Sequence, residues 1–162
     1  MPHKTLDLEH FLPYRLSVLS NTISQAIARE YAQRFQLSVS EWRVIAVLGR
    51  YDGSSARAVA ERTATDKVAI SRAVASLMQS GRVRRTLAAH DKRQSVLRLT
   101  AKGWKIYDEV APRALEHERR LLDHLDAQER EWLMRILDKL WAAELEEIAD
   151  TPSFPRRRES SS

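Results

Sequence analysis

The sequence predicts a mainly α-helical fold that carries one small β-hairpin. Three observations lead there. Gly is rare, at 4 of 162 residues, and β-branched runs are few, which favours helix. Apolar residues recur at spacings of three and four along the long segments, the period of one helix face. That period gives way at 83–99, where Val83, Thr86, Leu87, Val96, Leu97 and Leu99 fall into two short runs of strand-forming residues.

The first helix is expected from near Pro13 to Phe35, because Leu16, Leu19, Ile23, Ile27, Tyr31 and Phe35 form a single stripe. Pro13 suits a first turn. So long a stripe exceeds what one small core needs, and part of it is expected to meet a partner helix. Ser38-Val39-Ser40-Glu41 reads as a capping box, opening a helix from Val39 to Arg50 with Trp42, Ile45, Ala46 and Leu48 on its apolar side. Asp52-Gly53 marks a turn. Ser55 caps a short helix, Ala56–Thr63. Thr65 is expected to cap the next, Lys67–Gln79, which Gly81 stops. On that helix Val68, Ile70, Val74 and Leu77 are assigned to the packed side. The hairpin follows, with residues 88–94 as its tip. Thr100 then caps a long helix to about Leu125, bent near Pro112. Asp126-Ala127-Gln128-Glu129 is a second capping box. It opens a last helix to about Ala149 with Trp132, Leu133, Ile136, Leu137, Leu140, Trp141 and Leu145 on one broad face. Trp132 and Trp141 read as core or dimer interface. Residues 150–162 lack periodicity and read as a disordered tail.

Composition removes several classes of function. There is no Cys, which excludes disulfides, thiolate zinc sites and thiol redox sensing. No apolar run approaches the roughly 18 residues of a membrane span, and the N-terminus lacks a signal-peptide plan, so a cytoplasmic protein is expected. A phosphate-cradling Gly-rich loop, a nucleophile elbow and a His-Glu-x-x-His pair are all missing, and an enzyme is not expected. His117 and His124 lie seven apart with Glu116 and Asp123 nearby, but a metal needs three or four convergent ligands. No metal and no cofactor are expected.

Charge is distributed unevenly. Residues 54–100 carry ten Lys/Arg against three Asp/Glu, whereas residues 101–150 carry eight against thirteen. A basic middle between less basic flanks fits a surface that meets a polyanion; a plain solvated face is the other reading. The cations fall on the last helix and hairpin of a helix, short helix, helix, hairpin series, which is the plan of a winged helix-turn-helix. An α-helix fits the DNA major groove, where base edges show a readable pattern. Lys67, Ser71 and Arg72 share one face of the Lys67–Gln79 helix. Asp91, Lys92 and Arg93 sit at the hairpin tip, where Arg gains from the negative potential of a narrow minor groove and Asp91 would orient Arg93. Among Arg82, Arg84, Arg85 and Arg98, strand alternation sets Arg84 apart from its neighbours, and which of the four touch phosphate is left open.

At this point the sequence resembles the MarR family of bacterial transcription regulators. The matching pieces are Ser38…Glu41-Trp42-Arg43-Val44, Ala60-Glu61-Arg62, Asp66-Lys67…Ser71-Arg72…Leu77…Gly81, the tip Asp91-Lys92-Arg93, and Leu99-Thr100…Gly103. No single piece is specific; their order and spacing are. The resemblance, over roughly residues 10–148, implies a homodimer that reads a pseudo-palindromic operator in double-stranded DNA. It implies a repressor that a small anionic, often aromatic, ligand releases. Residues 1–36 and 101–149 would then be dimerisation segments and 37–100 the DNA-binding domain. On the same analogy, Arg15 would pair with the carboxylate of the effector and Trp42 would flank its ring. Two rivals are a ligand-independent architectural DNA-binding protein and a winged-helix module for protein contacts.

Overall fold

The structure, a computed structural model, describes residues 3, 5–87 and 95–150, with side chains to 143 in the last helix. Six helices and two strands are present among these residues, in the order α1 (Leu12–Phe35), α2 (Val39–Arg50), α3 (Ala56–Thr63), α4 (Lys67–Gln79), β1 (Val83–Leu87), β2 (Ser95–Leu99), α5 (Ala101–Leu122) and α6 (Ala127–Asp150). The predicted tail, 151–162, lies outside the described residues, as does the hairpin tip, 88–94.

Local chemistry sets the boundaries. The Ser38 amide donates to Glu41 Oε2 at 2.7 Å and the Glu41 amide to Ser38 Oγ at 3.2 Å, the reciprocal capping box that opens α2. Ser55 Oγ accepts from the Ala58 amide at 3.1 Å and opens α3. The cap of α4 differs from expectation. Asp66, not Thr65, supplies it, with Oδ1 accepting from Val68 and Ala69 amides at 2.9 and 3.0 Å. The Thr65 hydroxyl instead donates to the Thr63 carbonyl. Gly81, at φ +66°, turns the chain out of α4 into β1, a backbone that a side chain would strain. At the far end α5 stops at Leu122, three residues earlier than predicted, because the chain tightens into an i→i+3 turn in which the Leu125 amide donates to the Leu122 carbonyl. The Asp126–Glu129 capping box then opens α6.

The chain divides into two compact units, with the boundary inside α5 between Glu118 and Arg119. In the first unit, α2, α3, α4 and the hairpin enclose one core. Val44, Ile45 and Leu48 of α2 meet Val59 of α3, Ile70, Val74 and Leu77 of α4, and Val83, Leu97 and Leu99 of the hairpin. Burying each of these side chains is worth about 1.5–3 kcal/mol. Tyr31 from α1 and Ile106 and Val110 from α5 complete the same core. The first compact unit thus holds all of α1 and α5 as far as Glu118 together with the winged elements. Leu12, Leu16 and Leu19, by contrast, are exposed. The stripe on α1 is thus half core and half uncovered.

The hairpin is antiparallel, with Val83 opposite Leu99, Arg84 opposite Arg98, Arg85 opposite Leu97 and Leu87 opposite Ser95. Residues directly opposite share a face, so Arg84 shares a face with Arg98 across the hairpin while alternating with Arg85 along β1. Two cations facing each other repel, and Asp52 relieves this by pairing with Arg98.

Gly103 starts the run of α5 against the chain entering β1. A Cβ there would overlap the Arg82 carbonyl oxygen, which also accepts the Thr100 amide at 3.0 Å. Gly103→Ala is expected to lower stability by about 1–3 kcal/mol, the usual cost of forced overpacking. Thermal unfolding checks this, and an unchanged midpoint would contradict the packing described.

The second unit is described by itself. Pairs within it include Arg119–Asp123 and Arg130–Asp123, each at 3.2 Å. No described side chain of α6 is buried, and Trp132 and Trp141 are 51% and 66% exposed. Neither is therefore core within the single chain.

Candidate nucleic-acid interface

Helix α4 has two clear faces. Ile70, Ala73, Val74 and Leu77 are buried, while Lys67, Val68, Ser71, Arg72 and Ala75 are exposed. Val68 was assigned to the packed side from sequence, and the structure overturns that: it is 56% exposed. The reason is helical arithmetic, since Val68 sits about 160° around the axis from Ile70 at 3.6 residues per turn. Its apolar character misled, because the expectation followed hydrophobicity rather than angle. The exposed face thus carries one apolar residue among Lys67, Ser71 and Arg72.

Two features orient this face. Glu41 is buried, and its Oε1 accepts from Ser76 Oγ on α4 at 2.6 Å while Oε2 accepts from the Ser38 amide. One carboxylate therefore caps α2 and fastens α4 to it. Burial by itself raises the pKa of this carboxyl. Hydrogen bonds from the Ser38 amide, Ser76 and the Ser38 hydroxyl, with the charge of Arg82, outweigh that and hold it below its ordinary value of 4.5. The second feature is Arg43, whose guanidinium donates to Ser24 on α1 at 3.2 Å and to Thr65 in the α3–α4 turn at 3.4 Å.

A groove runs between α2 and α4, lined by Ser38, Ser40, Glu41, Ala69, Arg72, Ala73 and Ser76. The sequence reading left Ser38 and Ser40 out of the candidate site. Their positions beside Arg72 come from tertiary packing, and the only sequence signal was the capping box itself. At the N-terminus of α4, Asp66 already occupies two amides. Those two amides are therefore already paired, and the exposed Lys67 ammonium is the cation beside them.

Lys67, Arg72, Arg84 and Arg85 are exposed, and among the described residues none makes an ion pair. Asp91, Lys92 and Arg93 fall outside the described residues. Trp42 is half-buried, its ring 5.6 Å from Tyr31 and 6.3 Å from Tyr107, with Trp104 a further 5.5 Å from Tyr107. Burial pushes the Tyr31 phenol up to about 12 against the opposing charge of Arg43, and its hydroxyl is buried without a hydrogen-bond partner. Arg15 is exposed near the other end of α1, sixteen residues and about 24 Å along the axis from Tyr31. Within one chain the structure does not bring Arg15 and Trp42 together. His117 and His124 are not part of any described cluster of three or more ligating groups that could hold a metal.

A buried helical core, an exposed basic helix and a two-stranded hairpin define a winged helix-turn-helix protein. Residues 35–94 match the MarR family. The chain is 29% identical over 108 residues to the HTH-type transcriptional regulator BilQ of Clostridium symbiosum, spanning 67% of this chain and 75% of that protein. The crystal structure of a MarR/EmrR family transcriptional regulator from Acinetobacter sp. ADP1 superposes with TM-score 0.79 at 26% identity, covering 87% of this chain and 99% of the other. The MepR–DNA complex of S. aureus shares the fold at TM-score 0.73 and 19% identity, over 83% and 97% of the two chains. Over residues 35–94 the chain is thus similar to the MarR family of regulators. The proteins it resembles are transcriptional regulators, not enzymes.

Removing the charge of Glu41 tests the clamp. At neutral pH Glu41→Gln is expected to cost about 1.5–3 kcal/mol, the range for hydrogen bonds to a charged group. A lowered folded-state pKa means the stabilisation is complete above the ordinary carboxyl range and is lost as pH falls through the lowered value. Denaturant titrations should therefore show the two proteins converging in acid. A gap that stays constant across pH would contradict the assignment.

Proposed function

We propose that the protein is a homodimeric repressor whose two α4 helices read successive half-sites of a pseudo-palindromic operator. The observation that carries this reading is the exposed face of α4, where cations free of ion pairs flank Ser71 and Val68 on a helix held rigidly from behind. In this account Arg72 and Ser71 read base edges, Val68 meets a thymine methyl, and Lys67 neutralises a phosphate. Arg84 and Arg85 follow the backbone, while Lys92 and Arg93, oriented by Asp91, take the minor groove. The DNA-bound relative MepR supports the class of partner.

Dimerisation is supported by apolar surface that the single chain leaves uncovered. Leu12, Leu16 and Leu19 on α1 and, separately, Trp132, Ile136, Leu137, Leu140 and Trp141 on α6 are all exposed, and rows of large apolar side chains on a helix face are a common mark of an interaction surface. A second copy of the chain is the occupant that fits, because two α4 helices must be held one helical turn apart to engage a palindrome. Residues 1–36 and 101–149 act in this account as dimerisation segments around a DNA-binding segment, 37–100. No helix among the described residues is long and apolar enough to cross a membrane; in this account the protein works in the cytoplasm, where its operator DNA lies.

Release by a small aromatic anion is the finer part of the proposal. The rings of Trp42, Tyr107 and Trp104, backed by the buried Tyr31, run in sequence from α2 to α5, and the three partly exposed rings offer a surface against which an aromatic ligand stacks. Since Arg15 lies far along α1, a site that uses Arg15 with Trp42 must draw the arginine from the second copy. A ligand acts only through unequal affinity for the DNA-fitting and non-fitting states.

Fluorescence anisotropy on DNA flanking the gene, against scrambled DNA, tests the main claim. Arg72→Ala is expected to cost about 1–3 kcal/mol and to relax discrimination at one base pair, while Lys67→Ala weakens all sequences alike and lowers the salt slope by about 1. Equal affinity of the wild type for both DNAs would favour the architectural alternative. In light scattering, Trp141→Glu is expected to convert dimer to monomer; a monomeric wild type would contradict the dimer.

A further inference from the structure

Away from the exposed face of α4, the first unit holds a cavity of about 320 Å³ lined by Arg34, Phe35, Gln36, Arg82, Lys102, Lys105 and Ile106. Three segments meet there: the C-terminus of α1, the chain entering β1, and the first turns of α5. Its lining is four cations and one amide around two apolar side chains, with no carboxylate. Arg34 is compensated, by Glu109 at 2.5 Å. The two lysines are not. Lys102 Nζ donates only to the Ser80 carbonyl, at 2.9 Å, and Arg82 Nη2 donates to the Phe35 carbonyl at 2.6 Å. Arg82 Nε is buried with no hydrogen-bond partner. Lys105 is exposed and has no described ion pair or hydrogen bond.

An orphaned buried N–H costs free energy until an acceptor is supplied. Uncompensated cations around one cavity cost more, through mutual repulsion in a medium less polarisable than water. Both costs fall when an anion enters. The positive end of α5, which begins at Ala101, adds to the same field. A monocarboxylate neutralises one of the two uncompensated lysines, whereas a phosphate monoester brings up to two charges and three acceptor oxygens, one of which can take the orphaned Arg82 Nε proton. Phe35 and Ile106 offer apolar contact for the remainder of the ligand. The volume is near the lower end of small-molecule sites, about 300–1,000 Å³.

From these features the geometry points to a binding site for a small organic phosphate monoester, separate from both the DNA-facing surface of α4 and the aromatic rings around Trp42. Duplex DNA is a poor fit. The cavity is concave, it opens beyond the C-terminal end of α4, and Ser80 lies about 20 Å along the helix from Lys67. The site also stands whether or not the operator reading above is correct, because it concerns only the ligand.

Calorimetric titration of the full chain with phenyl phosphate, inorganic phosphate and benzoate tests the assignment. Phenyl phosphate is expected to bind at about 1 mM or tighter and at least about tenfold more strongly than either of the others. Lys105→Ala, whose side chain makes no described hydrogen bond, should keep its unfolding midpoint yet lose about tenfold in phenyl phosphate affinity, and Lys105→Glu should abolish binding. Trp42→Phe should leave the affinity unchanged. The site is overturned if phenyl phosphate gives no binding heat, if Lys105→Ala binds as well as wild type, or if benzoate competes equally. It is also overturned if Lys105→Ala loses duplex affinity as Lys67→Ala does, since the lysine would then belong to the DNA surface.

Discussion

The placement of α4 depends on the buried carboxylate of Glu41. Its two oxygens accept from the Ser38 amide and the Ser76 hydroxyl, so the group that starts α2 also fixes the helix that faces outward. Apolar packing alone would leave α4 free to slide along its own axis, because burial is not directional. A short hydrogen bond to Ser76 sets that axial position. Each exposed residue of α4, from Lys67 to Ala75, inherits its direction from this contact. The carboxylate stays charged despite burial because its hydrogen bonds and Arg82 outweigh the loss of solvent.

Arg82 extends the arrangement to the other side of the core. Its guanidinium holds the end of α1 through the Phe35 carbonyl, its carbonyl takes the Thr100 amide and hydroxyl, and Gly103 lets α5 pass close by. The chain leaving α4 is thus tied to both helices that flank the winged elements. A shift of α1 or α5 reaches α4 through these contacts, which gives a ligand or a dimer contact a physical route to the DNA-facing surface. Packed cores of this kind move between discrete arrangements rather than deforming smoothly.

Much of this was legible in the sequence, and particular residues explain what was not. The capping boxes at Ser38–Glu41 and Asp126–Glu129 fixed two helix starts, because a cap needs only local chemistry. The hairpin showed as a break in the helical period. Thr65 and Asp66 are both able caps, and only the structure shows which oxygen reaches the amides. Val68 was misplaced because an apolar residue on a binding face looks like a core residue to any hydrophobicity rule. The groove formed by Ser38 and Ser40 with Arg72, and the cation cavity around Arg82, join residues from distant parts of the chain, and periodicity carries no information about such meetings.

The central claim is that two copies of α4 enter successive turns of one duplex. Hydroxyl-radical footprinting of the full chain on its operator measures this directly. The account predicts two protected patches on the same face of the DNA, related by two-fold symmetry and separated by about 10–10.5 base pairs. A single protected patch, or uniform protection with no helical phasing, would contradict it.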